Sequence, residues 1–519
     1  MDNNRIIKKL QNALKLGGFN IRRELCTIIV EEFTKRKINL SDKIVFEDCI
    51  THLSSSLENQ CIAGQSIEEG QVVRAVEIFL NSGLDRNETA FSVIEAFDFP
   101  KFYYDPDRKL YLLSKQKSKL LSDATSKSMV FIERYQTILQ KTRRMFLSTA
   151  SAGEKNMLKL QTVDFLLTIS NVCLKNTLIL GSIIQVSEGK YCLEDPTGMV
   201  NLDMSHANFQ GGLFVENSFV LVNGVYEDKT LTVSTMLMPP GEAYEESRAS
   251  FANINYFGGP SRVPLRDSKN LREHAERNEN GMIQIFSDVW LDHALVFEKL
   301  ETLFEGFQED PPIAFLFLGN FVSESHGHER MDILKKCFKQ LGELLSRYQS
   351  LISNSQFVFV PGTTDPSTPH IVPRLSLPSY IIEDFLKLVP KAVFTTNPCR
   401  IQYCHREITV FRCDLLTKLL QGALSKPNKD HIADYVTRTV ISQGHLTPMS
   451  LNSQPVHWDF DYTLRLHPLP DLIILGDKSE TYIGEHKGCK VVNPGPFCEK
   501  GFEFISYTPF TNSIEPCAL

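Results

Sequence analysis

The stretch IFSDVWLD, residues 285–292, starts as a buried strand, stops on the carboxylate of Asp288 and leads into a helix-like segment. An apolar strand closed by Asp, with His two positions on, is a familiar start for a metal centre built on strand ends. Here Trp290 stands at that second position. An indole offers one N–H donor and no lone pair to a cation. Working outward, the same strand–helix–strand rhythm continues through PIAFLFLGN, the long helix ERMDILKKCFKQLGELLSRYQSL, and then QFVFVPG, KAVFTT, REITVFR, VISQG, PDLIILG, KVVNPG and FEFISYTP. Continuous apolar strands ending on Gly, Asp or Asn predict an α/β sheet covered on both faces. In such sheets the functional loops lie at the carboxyl ends of the strands.

Those strand ends can be compared with the calcineurin-like phosphoesterase pattern: Asp-x-His, Gly-Asp, Gly-Asn-His-Asp/Glu, a lone His, then Gly-His-x-His. A binuclear site of this kind needs imidazoles around a carboxylate shared by two hard cations. SDVW keeps Asp288 and puts Trp290 in place of the first His. LGNF has Asn320 where the bridging Asp belongs, which removes the shared negative charge. PGTTDP sets Thr363 and Thr364 in place of the ligand Asn and the catalytic His, leaving Asp365. SQGH keeps a His at 445, and ILGDKS has Asp477 and Ser479 where two histidines would stand. Most of the ligands are gone, and the remaining Asp and Asn are also ordinary turn and capping residues. The expectation is a degenerate pocket with no catalytic residue, no metal and no cofactor.

Upstream, the period changes from helical to alternating near residue 175. LILGSIIQV, KYCLE, MVNLDM, SFVLVNGVY and TLTVSTM read as five short strands, the second and third joined by a hairpin at EDPTG. Five strands near residues 175–240 predict an OB-type barrel, although any small antiparallel barrel would give the same pattern. Barrels of that kind bind single strands through aromatic faces in a basic groove. This one offers Tyr191, Phe219 and Tyr226 with Lys175, Lys190 and Lys229. Before it, residues 1–95 read as helical throughout, with Ile6, Leu10, Leu14 and Leu16 near one face of the first helix, a helix end and new start in NSGLDRNETAFSVIEAF, and Thr89 as a cap. Residues 96–174 read as a connector. DFPKFYYDPDRKLYLL docks by its rings, VFIERYQTILQKTRRMF is a helix, and STASAGEKN is a flexible link.

The bulk numbers set outer limits. With 519 residues, 42% hydrophobic and 23% charged, the chain is an ordinary multidomain globular protein. Its N-terminus lacks the apolar run of a secretory signal, and no window has the roughly 18 apolar residues of a membrane span, so no membrane partner is expected. The 12 cysteines are scattered, which points to reduced thiols. The tightest group, Cys399, Cys404, His405 and Cys413, lacks a zinc knuckle and reads as small hydrophobes on buried strands. A net charge of −7 excludes a surface coated to grip nucleic acid. Residues 101–145 are locally basic, which reads more readily as a solvated linker than as a binding site.

Taken together, EGKYCLEDPTGMVNLDM, FSDVWLD, VFTTNPCRIQYCHREITVFR, SQGHLTP and VVNPGPF resemble the B-subunit family of replicative DNA polymerases. FGGPS, FVFVPG and EAFDFPKFYYDPDRKLYLL are most similar to its epsilon branch. The resemblance implies a multidomain α+β chain: an N-terminal helical bundle like the lid of AAA+ ATPases (1–95), a connector with a helix (96–174), an OB-fold domain (175–260) and an inactive calcineurin-like phosphoesterase α/β sandwich (261–519). It implies a non-catalytic nuclear scaffold that binds the cysteine-rich C-terminal module of the DNA polymerase epsilon catalytic subunit. Small histone-fold subunits would share the complex, the N-terminal domain would contact the replicative helicase assembly, and DNA would be touched weakly or indirectly. Any zinc or iron–sulfur cluster would belong to the catalytic subunit. Two other readings stay open: a residual metal-dependent phosphodiesterase or nuclease, and a single-stranded DNA-binding module. The aromatic loops NINYFGGPSRVPLR and PVHWDFDYTLRLHPLP read equally as a partner surface or as an internal seal between barrel and sheet.

Overall fold

The computed structural model describes residues 3–16, 19, 21–35, 46, 49–50, 53, 72, 76 and 89–519, less 152–158, 170–172, 252–253, 262, 324–326, 368–369 and 500. The chain divides into two compact units, one of residues 1–89 with 260–271 and one of 90–259 with 272–519. In the first, helices Asn3–Leu16 and Arg23–Lys35 bury Leu10 and Leu14 with Leu25, Ile29 and Phe33, the i, i+4 spacing of two amphipathic faces. Most of residues 36–88, where further helices are expected, lies outside the described residues.

Residues 91–95 correct the helical reading. Phe91–Glu95 (β1) is a strand, paired antiparallel with Cys399–Tyr403 (β15) at the edge of a sheet. FSVIE alternates its side chains, and Thr89 caps no helix. A hairpin of Phe102–Asp105 (β2) and Leu110–Leu113 (β3) follows, and it docks by its rings as expected. Phe102 and Tyr111 pack with Phe99, Phe251, Tyr256, Phe257, Phe460 and Tyr462 in one buried aromatic cluster. The two aromatic loops therefore bury these rings as an internal seal. Arg400 fixes it, lying 4.0 Å from the centroid of Phe99 and donating to the Tyr256 and Phe257 carbonyls.

The helix expected in the connector runs Ala124–Ser151, into the segment read as a flexible link. It is no solvated linker. Arg134 pairs with Asp461, Lys141 donates to the Ser442 carbonyl at 2.9 Å, and Arg144 pairs with Glu242. Arg134 and Lys141 are buried, and burial pulls the Lys141 ammonium down to about 8.

The barrel closes through five strands. Leu174–Ser187 (β5) pairs with Lys190–Asp195 (β6), β6 with Gly198–Asp203 (β7), β7 with Thr230–Leu237 (β10), β10 with Phe219–Glu227 (β9), and β9 returns to β5. Short strands Leu160–Gln161 (β4) and Asn208–Gln210 (β8), too brief to show a period, add to β5 and β10. At EDPTG the turn is held by Asp195, whose Oδ1 accepts from the Thr197 and Gly198 amides. At Gly224 a Cβ would run into the Thr232 carbonyl, so the β9–β10 crossing needs glycine. Gln443 joins barrel to sandwich by bonding both the amide and the carbonyl of Phe219, at 2.9 and 2.7 Å.

The sandwich has two six-stranded sheets. One runs Val393–Phe394 (β14), Gln356–Val360 (β13), Ala314–Leu318 (β12), Ile283–Ser287 (β11), Phe504–Thr508 (β20) and Ser513–Cys517 (β21). The other runs β1, β15, Arg406–Arg412 (β16), Leu472–Gly476 (β17), Cys489–Asn493 (β19) and Tyr482–His486 (β18). Ile285, Leu316 and Val358 face Ile401, Val410 and Ile474 across one apolar layer. On the outer face of the first sheet, Phe504, Phe286, Phe317, Phe359 and Phe394 stack across five neighbouring strands, with centroids 4.6–5.2 Å apart. Cys399, Cys404 and Cys413 are buried, and burial pushes the last two thiols up to about 11. Among the described residues no helix is long and apolar enough to cross a membrane.

Phe317 is the middle ring of the stack and 1% exposed. Phe317→Ala is expected to cost about 3–5 kcal/mol, read as a lowered urea midpoint with an unchanged slope.

Candidate functional site

The carboxyl ends of β11, β12, β16 and β17 meet at one buried side chain, Arg412. Its Nη2 donates to both oxygens of Asp288, at 2.8 and 3.0 Å, and its Nε donates to the Gly319 carbonyl. Nη1 donates to Asp414 Oδ1 at 2.8 Å and to the Gly476 carbonyl at 3.1 Å. The guanidinium is 0% exposed and bridges the two sheets. Burial alone would lower its pKa, but the Asp288 and Asp414 charges outweigh that and raise it, so the cation is permanent. Asn397 fastens the same strand, accepting from the Arg412 amide and donating to its carbonyl.

Around this cation the sequence-derived residues are already engaged with one another. Asp288 sits at φ +51°, a left-handed conformation that a short polar side chain tolerates. Its Oδ1 also accepts from the amide and the side chain of Asn320, both at 3.0 Å. Asn320 Oδ1 accepts from the Thr364 amide. Asp365 accepts from the Phe321 and Gly362 amides, and burial raises its pKa despite those bonds. Arg374 holds the Thr363 and Asp365 carbonyls. Gly319 and Gly362 allow the close approach, since a Cβ on the first would strike Asp365 and on the second Asn320. Trp290 is half-buried, and its carbonyl accepts from the His293 amide.

A pair of dications does not suit this arrangement. Asp288 already gives its lone pairs to a fixed guanidinium and two N–H donors, and Asn320 brings no charge. Among the described residues, no three His, Cys, Asp or Glu side chains converge as ligands.

Comparison with known proteins bears on the whole chain. Residues 283–484 match the family profile that describes the B subunit of DNA polymerases alpha and epsilon. Residues 124–240 match that of the DNA polymerase epsilon subunit 2-like OB-fold domain, which takes in the long connector helix. The human DNA polymerase epsilon subunit 2 is 37% identical over 99% of both chains. The chain belongs to the DNA polymerase epsilon subunit 2 family. The Drosophila melanogaster relative is 35% identical over 98% of this chain and 97% of its own, and the Arabidopsis thaliana relative is 29% identical over 99% and 98%. Among solved structures, an archaeal phosphodiesterase covers 46% of this chain at 13% identity, with a TM-score of 0.26.

In this member of the family the remaining three positions do different work. Asp477 accepts from the Leu416 amide at 2.7 Å, satisfying the start of the helix Leu415–Gln421. Ser479 accepts from Asn493. His445 follows no strand, because VISQG is the end of the helix Ile432–Gln443, which the left-handed Gly444 stops, and the imidazole belongs to the connector instead. Its Nε2 lies 3.3 Å from Asp461 Oδ1, the carboxylate that pairs with Arg134, and its Nδ1 accepts from the Thr447 amide. In the barrel, Phe219 and Tyr226 are core residues, so neither presents a stacking face. No metal-ligand pattern points to Arg412, although REITVFRC carries its signal: a cation closing an apolar strand with no solvent-side alternation.

Removing one member of the Arg412–Asp288 pair strands the other charge in the interior. Arg412→Met and Asp288→Leu are each expected to cost about 3–5 kcal/mol, while the double variant costs clearly less than the sum in a denaturant double-mutant cycle.

His445 gives a pH prediction. Burial first, then the Arg134 charge, pulls its imidazole down to about 4. Between its unfolded value near 6.5 and about 4, the unfolded chain binds the extra proton, so stability falls as the pH falls through that window. His445→Gln is expected to flatten the decline by up to about 3 kcal/mol, measured by unfolding at pH 7 and pH 4.

Proposed function

We propose that this chain is a non-catalytic accessory subunit of DNA polymerase epsilon in nuclear DNA replication. Family membership supports the complex, and Arg412 carries the non-catalytic part. A fixed organic cation neutralises Asp288 at the place where a phosphoesterase would hold exchangeable metal, and it leaves no open coordination position for water or phosphate. The strand-end loops are then free of metal chemistry, and the sandwich acts as a rigid frame with the barrel locked to it through Gln443.

On this reading the barrel and sandwich together hold the cysteine-rich C-terminal module of the catalytic subunit. The small histone-fold subunits join the same complex. The N-terminal helical unit, AAA+ lid-like in its expected fold, links the polymerase to the replicative helicase. The chain needs no cofactor of its own.

Co-expression with the C-terminal module of the catalytic subunit is expected to give a stable one-to-one complex on size exclusion. A folded chain that elutes alone would overturn the reading. The enzymatic alternative predicts stoichiometric manganese and phosphodiester hydrolysis lost in Asp288→Ala. The expected result is hydrolysis no faster than the buffer blank, with or without added manganese.

A further inference from the structure

The basic stretch of the connector sorts into two sets. Arg134, Lys141 and Arg144 point into the body and are consumed by Asp461, the Ser442 carbonyl and Glu242. Lys115, Lys117, Lys119 and Lys127 are exposed, and among the described residues none of them forms an ion pair. Between them lie two adjacent leucines, Leu120 at 52% exposure and Leu121 at 93%, followed by Met129 at 45%.

Single exposed apolar residues need no explanation, but this pair is held outward. The Lys119 amide donates to Asp459 Oδ2 at 3.1 Å, the Ser122 hydroxyl donates to the Lys119 carbonyl, and the Asp459 amide donates to Ser122 Oγ. Asp459 thus clips the chain on both sides of the leucines. The loop keeps two large apolar side chains in water, flanked along the chain by four unpaired ammonium groups against one exposed carboxylate, Asp123, in a chain whose net charge is −7.

We propose that residues 115–129 form a docking site for an acidic amphipathic segment of a partner polypeptide. Its carboxylates meet Lys115, Lys117, Lys119 and Lys127, and its apolar face covers Leu120 and Leu121. Charge complementarity selects an acidic partner, and the aliphatic tips select protein over nucleic acid, because single strands are held by stacking on aromatic rings. This surface is independent of the strand-end pocket and of the accessory-subunit reading.

The test uses the full chain and a labelled synthetic helix-forming peptide with glutamates on one face and leucines on the other. A scrambled peptide of the same composition and an oligo-dT strand serve as comparators, all read by fluorescence anisotropy at low salt. The amphipathic peptide is expected to bind best. Binding should weaken about tenfold both in the Leu120→Ser/Leu121→Ser variant and when the four lysines are replaced by serine. If either variant melts early, Leu121→Ala and lysine-to-glutamine replacements give the same readout. Absent binding, or equal binding by the scrambled peptide, overturns the proposal. Preferential oligo-dT binding that depends on the lysines and not on the leucines also overturns it, and makes the patch a nucleic-acid contact.

Discussion

The Arg412 guanidinium is the point on which the sandwich turns. The carboxyl ends of β11, β12, β16 and β17, two from each sheet, concentrate carbonyl oxygens and carboxylates at one place, and such a focus of negative potential demands a cation. A metal satisfies that demand reversibly and reactively. A guanidinium supplied by β16 satisfies it permanently, with five donors shared among Asp288, Asp414 and the Gly319 and Gly476 carbonyls. Replacing a buried ion pair by apolar residues is often neutral for stability, so the pair's value lies in fixing how the strand ends register across the two sheets. Gly319, Asn320 and Asp365 can approach as closely as they do because that register is fixed.

A second set of charges, two buried and two half-buried, does for the connector what Arg412 does for the sheets. Glu133, Arg134, Lys141 and Arg144 lie along one helix and meet Arg465, Asp461, the Ser442 carbonyl and Glu242. The helix therefore has a unique axial and rotational position on the body, which apolar packing alone would specify less sharply. A basic stretch that suggests solvent in the sequence is, in its second half, internal wiring between barrel and sandwich.

How much of this could be read from the sequence depends on whether the signal is local. The five barrel strands, the EDPTG turn and the observed parallel strands of the sandwich each carry their own period and form where the alternation or apolar run predicts, whereas VISQG, too short to show a period of its own, is the last turn of a helix. FSVIE did not reveal itself. Its five residues follow a segment with helical spacing, and its pairing partner lies about 300 residues away. At the strand ends, the departures Trp290, Asn320, Thr363 and Thr364 were legible as residues, but what fills their place was not. Arg412 meets Asp288 across 124 residues, and no spacing rule relates them. Asp477 and His445 looked equivalent as survivors of a motif. Geometry separates them into a helix start and a partner of the connector.

The position of β1 has a consequence for synthesis. Its register places Ile94 beside Arg400, so the strand emerges from the ribosome long before the chain that will receive it. At 5–20 residues per second the delay is roughly 15–60 s. During that interval Phe99, Phe102 and Tyr111 lack Phe251, Tyr256, Phe257, Phe460 and Tyr462, the rings that will cover them. The nascent chain thus carries an open strand and an aromatic-rich hairpin through most of its translation. Chaperone occupancy on the growing polypeptide should concentrate there, and a chain shortened from the N-terminus past residue 95 would leave β15 with an unpaired edge for other chains to join.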